Sequence, residues 1–485
     1  MTAQQNGISA HVWRVSAVVV IGSIMSILDT TIVNVALATL SHKLHASIPQ
    51  IQWVVTGYML SLAAVIPVSG WAARRFGAKQ IYLLSLVLFT AGSALCGLAT
   101  SSTELIIFRV LQGVGGGMIL PVAQLIMAEA AGPERMGRVM SIIAVPAMLA
   151  PILGPTLGGL IIQNASWRWI FYVNVPIGFI GFITAVRMLP RVERGKVDRL
   201  DVRGLLLMAT GLPLFTYGLA EVGITGSFGS AKVIVPCLTG IALVALFAVH
   251  ALRVPKPLLD LRLYRRPTFS SASIAMFCLA AALFGGMILL PLYWQDVRLE
   301  SVVDTGLLTA PQGLGAALAM PLAGKLTDRI GGGLPALFGV TLCAVATIPF
   351  GLIGAHTSIV GLSGAMFIRG IGIGFGFMPT MAAAFASLER SELASATPQL
   401  NVLQRVGGSI GTAVLAVVLT RALTGVHTLS GAAHAYGTAF WASAILAALG
   451  IVPAFILLRA ERAARRTKGA QAETSAETLA EAVAA

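Results

Sequence analysis

The chain has 485 residues, of which 56% are hydrophobic and only 11% charged, with a mean hydropathy of +0.86. Soluble globular chains carry about 25% charged residues, so this composition excludes a soluble enzyme and describes a protein that crosses a membrane many times. The net charge of +14 could suggest a nucleic-acid partner, but the placement of the basic residues excludes it.

Apolar runs near the ~20 residues a helix needs to span a bilayer begin at 15–37, where Arg14 precedes a stretch far longer than a signal-peptide core and no convincing cleavage site follows. This segment is expected to remain as the first crossing. Asp29 lies midway along it, and an ionisable side chain at that depth costs on the order of 2.5–3.5 kcal/mol on insertion scales. Such a residue normally faces a partner or a cavity, so Asp29 is the best candidate for binding a proton. Asn34, one and a half turns on, is a candidate for the substrate cavity. Runs at 51–71, 80–99, 104–127, 138–162 and 168–188 complete six crossings. Two more at 204–222 and 232–252 are flanked by polar, charged stretches at 189–203 and 253–267, and read as an insert. Six follow at 268–292, 303–323, 335–354, 358–382, 399–422 and 436–459.

With fourteen crossings and a cytoplasmic N-terminus, 25 of the 33 Lys and Arg fall on the cytoplasmic side. Five (Lys43, Arg168, Lys232, Arg298 and Arg421) fall outside, and three (Arg109, Arg369 and Arg405) within the membrane. That asymmetry follows the positive-inside rule. The basic balance is therefore topology, with both termini expected in the cytoplasm of an inner, multi-pass membrane protein. The four cysteines, Cys96, Cys237, Cys278 and Cys343, all lie in apolar segments and read as packing residues.

An internal repeat joins Gly70-Trp-Ala-Ala-Arg74-Arg75-Phe-Gly77 to Gly324-Lys-Leu-Thr-Asp328-Arg329-Ile-Gly331. Each follows the second crossing of a six-crossing block, and a looser echo links Phe108-Arg109 to Phe367-Ile368-Arg369. Two six-helix halves related by an axis along the membrane normal produce this pattern. The expected organisation is an all-α polytopic membrane protein, with a first bundle at 1–200, a two-helix insert at 201–256, a second bundle at 257–460 and a cytoplasmic tail at 461–485.

The motifs Leu28-Asp29-Thr30-Thr31 in the first run, Arg109-Val-Leu-Gln112-Gly113 in the fourth and Pro151-Ile-Leu-Gly154-Pro155-Thr-Leu-Gly158-Gly159 in the fifth, with Trp167-Arg-Trp-Ile-Phe171 and Asn174-Val-Pro176, resemble the 14-helix drug:proton antiporter branch of the major facilitator superfamily. The resemblance runs over nearly the whole chain. It implies the major facilitator fold, proton-driven multidrug or biocide efflux by alternating access, and a proton-relay role for Arg109. It also implies that Pro151, Gly154, Pro155, Gly158 and Gly159 form a hinge that helps decide antiport over uptake. Where the family usually has an acid before the arginine of the first cytoplasmic loop, this chain has Arg74. That change predicts a less firmly closed cytoplasmic side, with Arg74→Asp shifting the population outward.

Asp29 balances burial, which disfavours its charge, against any nearby cation, which favours it. It could then hold a proton or a cationic substrate but not both, the simplest basis for exchange. Asp29 is the only acid well inside a run, so the expected substrates are lipophilic monovalent cations or neutral amphiphiles. Trp53, Tyr58, Gln112 and Phe375 are further cavity candidates, and Phe284, Tyr293, Trp294 and Phe377 could add aromatic faces. Asn174 is equally read as a backbone-satisfying polar group. Arg369 and Arg405 read as helix-holding residues.

Gly113, Gly115, Gly116 and Gly117 imitate a phosphate loop, but they follow no strand, and no Gly-x4-Gly-Lys-Ser/Thr exists. A gradient must therefore supply the energy. No cofactor or metal is expected, and scattered histidines with short loops argue against an enzyme. The expected partners are protons, a small lipophilic substrate and the lipid bilayer. Export of one endogenous metabolite, and action through a periplasmic adaptor protein, are the alternatives.

Overall fold

The computed structural model describes residues 10–131, 135–190 and 199–465, and every regular element among them is helical. The first bundle comprises α1 (Ala10–Lys43), α2 (Ile48–Phe76), α3 (Ala78–Leu98), α4 (Ser102–Ala131), α5 (Met136–Asn164), the single turn α6 (Trp169–Tyr172) and α7 (Asn174–Met188). Then come α8 (Val202–Thr225) and α9 (Ala231–Arg253). The second bundle comprises α10 (Pro267–Leu292), α11 (Val302–Ile330), α12 (Gly333–Gly351), α13 (Ile359–Ala386), α14 (Arg390–Leu423) and α15 (Leu429–Leu449), whose apolar course continues as Leu429–Arg465.

Local signals set the boundaries. Asp201, Ser301, Ser358 and Thr428 each accept a hydrogen bond from a first-turn N–H of the helix that follows, satisfying one of the donors a helix start leaves free. Gly77 at φ +96° and Gly331 at φ +94° end α2 and α11, in a backbone region that glycine enters without steric cost. These are the last residues of the two repeat copies.

Twelve helices are long and apolar enough to cross a membrane among the described residues, not the fourteen expected. The two missing from that set are α5 and α11, each 29 residues long. In α11, Pro311, Gln312 and Pro321 dilute the apolar run, and in α5 the side chains of 146–153 lie outside the description. The expected tail at 461–485 is helical as far as residue 465, and the remainder lies outside the described residues.

The two bundles repeat one packing scheme. In the first, α1 packs on α5, α2 and α3 on α4, and α3 on α7; in the second, α10 packs on α14, α11 and α12 on α13, and α12 on α15. Between bundles, α5 packs on α11 and α2 on α14, the same pairing seen from either side. The insert helices pack on each other, and α8 lies along the α2–α14 seam, where Met208, Leu212 and Phe247 bury against Ala63, Ile66 and Val402. The insert therefore covers one of the two seams between bundles.

Candidate functional site

Two helices of the first bundle, α4 and α7, reach the carboxylate of Asp29, and α2, α3 and α6 hold the groups that do so. From α4, Arg109 Nη1 lies 2.6 Å from Asp29 Oδ2, and both side chains are at most 1% exposed. Gln112, one turn further along α4, donates from Nε2 to Asp29 Oδ1 at 3.0 Å, and Asn174 at the start of α7 donates from Nδ2 to the same oxygen at 3.0 Å. Arg109 also donates to Gln112 Oε1 (2.8 Å) and, through Nε, to the Val54 carbonyl of α2 (3.1 Å). Its guanidinium lies 3.9 Å from the ring centroid of Tyr58. Ser93 on α3 accepts from Asn174 and donates to the Phe171 carbonyl.

A buried charge pair persists only when its remaining hydrogen-bonding capacity is filled, and here Gln112, Asn174 and the Val54 carbonyl fill much of it. Asn174, which the sequence equally allowed as a backbone-satisfying group, is brought onto Asp29, and the spacing of Arg109 and Gln112 puts both on one face of α4. Protonating Asp29 would remove the counter-charge of Arg109, so the site can hold a proton only by loosening this network.

A separate cavity of about 320 Å³ lies between the bundles, lined from both of them. Its walls include Ser26, Ile27, Thr30 and Thr31 of α1, Met59 and Leu62 of α2, Leu283, Phe284 and Met287 of α10, Gln312 of α11, and Asn401, Gln404 and Arg405 of α14. Asp29 points from the other face of α1 and does not line it. Of the residues expected in the cavity, Tyr58 and Gln112 belong to the Asp29 network instead. Trp53 stacks on Tyr217 of the insert with ring centroids 5.7 Å apart, Phe375 packs edge-on to Phe338 at 5.3 Å, and Asn34 is exposed on α1. Among the other aromatics considered, Phe284 lines the cavity and Tyr293, Trp294 and Phe377 are buried in packing.

Gly154 gives α5 its approach to α1, because a Cβ there would collide with the hydroxyl of Thr31, a cavity residue. At Gly158 the fit is less tight, a Cβ there lying 3.3 Å from the Ile32 carbonyl oxygen, and a Cβ at Gly159 would meet open space. Pro151 and Pro155 lie within α5, and their side chains are outside the described residues.

The repeat copies lie where the bundles meet. Asp328 accepts the Gly137 N–H of α5 at 2.9 Å and sits 2.9 Å from Arg138 Nε. Ser141 donates to the Met320 carbonyl at 2.8 Å, and Gly324 packs on the Gly137 carbonyl. Across the other seam, Gly70 lies against the backbone carbonyl of Ala394, so close that a Cβ would not fit. Arg74 stands one turn beyond, half-buried, with Arg75 exposed. The α14 terminus is closed by its own acids: Glu389 and Glu392 form a capping box, and Arg266 grips Glu392 through two hydrogen bonds of 2.7 Å. Arg329 is exposed, and Gly331 abuts Glu461, whose carboxylate caps α12 through the Gly332 and Gly333 N–H groups. Sequence reasoning missed Gly137, Arg138 and Glu461, which carry no pattern of their own.

Arg369 on α13 occupies the position in the second bundle that Arg109 holds in the first, and donates to Gln312 Oε1 (2.7 Å), Thr347 Oγ1 (3.1 Å) and the Ala282 carbonyl (3.1 Å). No acid faces it in that set, so the two bundles share a helix scheme but not a charge pair.

Residues 19–412 match the Major Facilitator Superfamily. The chain is 41% identical over 410 residues to the "Multidrug resistance protein B homolog" of Mycobacterium tuberculosis, covering 84% of this chain and 76% of that one. It is 30% identical over 397 residues to the "Multidrug export protein EmrB" of Haemophilus influenzae, covering 81% and 78%. In structure it resembles the human organic anion transporter MFSD10 with a TM-score of 0.63, 15% identity and coverage of 93% and 100%, a likeness of fold alone. A match over most of the length, a duplicated helix scheme and a cavity between the two copies make this chain a member of the major facilitator superfamily.

Proposed function

We propose that this protein exports small lipophilic compounds from the cell in exchange for protons, by alternating access of the cavity between its two bundles. The buried Asp29–Arg109 pair carries the reading. It places one titratable group and its counter-charge in the core of the first bundle, directly behind the cavity wall of α1. The resemblance to relatives named for multidrug resistance and export supports the same direction of transport.

In this reading the end bearing both repeat copies is cytoplasmic, all fourteen long helices span an inner membrane, and both termini are cytoplasmic. On that orientation, the contacts between bundles at that end support a cytoplasmically closed state. Asp328 closes one seam, and α2 at the other carries Arg74 where the family resembled usually has an acid. A proton entering from outside neutralises Asp29, frees Arg109 from it, and loosens α1 against α4 and α7. Because α1 also forms the cavity wall and packs on α5 at Gly154, that movement reaches both the substrate and the α5–α11 gate. At 100 mV each inward proton charge contributes about 2.3 kcal/mol. Wild type and Asp29→Asn in liposomes with an internal pH-sensitive dye test this. Substrate-triggered proton flux that disappears in the variant is expected, and flux that persists would assign the proton to another group.

A further inference from the structure

We propose that Arg405 is the charge that reads the substrate, and that the cavity takes lipophilic anions such as aromatic carboxylates or sulfonates. The inference rests on the export reading above and gives it a substrate class. Arg405 is the single charged side chain lining the cavity among the described residues. Among the described residues its guanidinium makes no hydrogen bond or ion pair, the neutral phenol of Tyr58 being the titratable group that acts on it, whereas the other two interior arginines are engaged: Arg109 by Asp29 and Gln112, Arg369 by Gln312, Thr347 and a carbonyl. The acid that would attract a cation is unavailable to it, since both Asp29 oxygens are committed inside the first bundle.

A guanidinium in a low-dielectric cavity is costly without a counter-charge. Its planar fork matches a carboxylate or sulfonate in two parallel hydrogen bonds. Gln404, adjacent on α14, brings an amide to the same wall, and Leu62, Leu283, Phe284 and Met287 supply apolar surface for a ring system. A lipophilic cation, expected when Asp29 was placed at the substrate, would instead meet a like charge. A volume of about 320 Å³ suits a small drug-sized molecule.

Exchange of one anion for one proton moves two positive charges inward per cycle, and exchange of a monovalent cation moves none. Each charge is worth about fifty-fold in gradient at 100 mV, so voltage separates the two classes.

The test uses the full-length purified protein and two ions of near-equal size and opposite charge, 2-naphthalenesulfonate and (2-naphthyl)trimethylammonium, with binding followed by calorimetry. The sulfonate should bind at least about tenfold tighter. Arg405→Gln should lose about tenfold or more of that affinity, the effect of one charge-assisted contact, with ammonium binding unchanged or tighter. Arg405→Lys should retain part of the anion affinity and guards against a folding defect, as does an unchanged melting temperature. Equal or tighter ammonium binding in wild type, or sulfonate binding indifferent to Arg405→Gln in folded protein, overturns the assignment. Asp29-dependent proton flux that survives such a result leaves the export reading standing. Its absence with every compound overturns the export reading independently.

Discussion

Replacing Asp328 by Ala should open the end of the molecule where the two bundles meet. The carboxylate joins α11 to α5 twice, through the Gly137 N–H at 2.9 Å and through Arg138 at 2.9 Å. A hydrogen bond to a charged group contributes about 1.5–3 kcal/mol. The Asp328 side chain is 5% exposed but Arg138 is 22% exposed, so the second contact adds no more than about 1 kcal/mol. Losing both removes roughly 2–4 kcal/mol from the closed state, a shift of about thirty-fold to several hundred-fold in the closed-to-open ratio. Asp328→Asn keeps an acceptor for the Gly137 N–H and should shift the ratio only about tenfold. The assay is pulsed electron resonance in nanodiscs between spin labels at Arg75 and Arg329, both exposed and one on each bundle, with the four native cysteines replaced. The alanine variant should gain a long-distance population, and the asparagine variant a smaller one. A distance distribution that superposes on wild type for Asp328→Ala would refute the idea that this carboxylate holds the gate.

Asp29→Asn leaves Arg109 buried without a counter-charge and should lower thermal stability by about 3–5 kcal/mol; adding Arg109→Gln should recover a large part of it, read by a double-mutant cycle of melts in detergent. Gly154→Val should abolish transport and cost about 1–3 kcal/mol by forcing α5 off Thr31, while Gly159→Ala, facing open space, should stay within about 0.5 kcal/mol in melts and near wild-type flux. Burial pushes the Asp201 carboxyl up, but hydrogen bonds from the Gly204 N–H, His250 and the Leu258 N–H outweigh it and hold the group below its ordinary 3.8. A depressed folded value means that its stabilisation of the insert is complete above that ordinary value and fades as acid titrates through the folded one. Hydrogen-exchange protection in the first turn of α8, relative to the intrinsic amide rate at each pH, should therefore be flat from pH 7 to about 5 and fall below about 4, and Asp201→Asn should remove that dependence.

Asp29 and Arg109 were legible in the sequence because an ionisable group inside an apolar run has few physical explanations, and both lie in the same buried network. Gln112 was legible as a neighbour of Arg109 but placed in the wrong compartment, since helical spacing says which residues share a face and not which cavity that face looks into. The same limit applies to Trp53 and Phe375, large aromatics whose partners, Tyr217 and Phe338, depend on how distant helices pack. Arg405 could be counted as an intramembrane charge, but nothing in the sequence distinguishes it from Arg369, which finds neutral partners. The duplicated helix scheme was visible in the Gly70 and Gly324 repeats. The contacts of Asp328 were not, because Gly137 and Arg138 lie in an unremarkable stretch. The count of crossings was blurred where prolines and Gln312 interrupt α11, since hydropathy averages over residues whose polar atoms the neighbouring helices satisfy.

The separation of Asp29 from the cavity by the thickness of one helix changes what kind of machine this can be. Two ligands competing for one carboxylate exclude each other, so their exchange ratio is enforced by occupancy. With the proton on Asp29 and the cargo in the cavity, as proposed above, α1 stands between them, and both can be bound in the same molecule at once. Coupling then depends on relative rates: the bundles must move slowly in every occupancy state except the productive ones. Such a transporter has no fixed gearing. It can slip, passing protons without cargo, and its yield per proton falls for cargoes that fit the cavity poorly, which lets one protein accept many shapes at unequal efficiency.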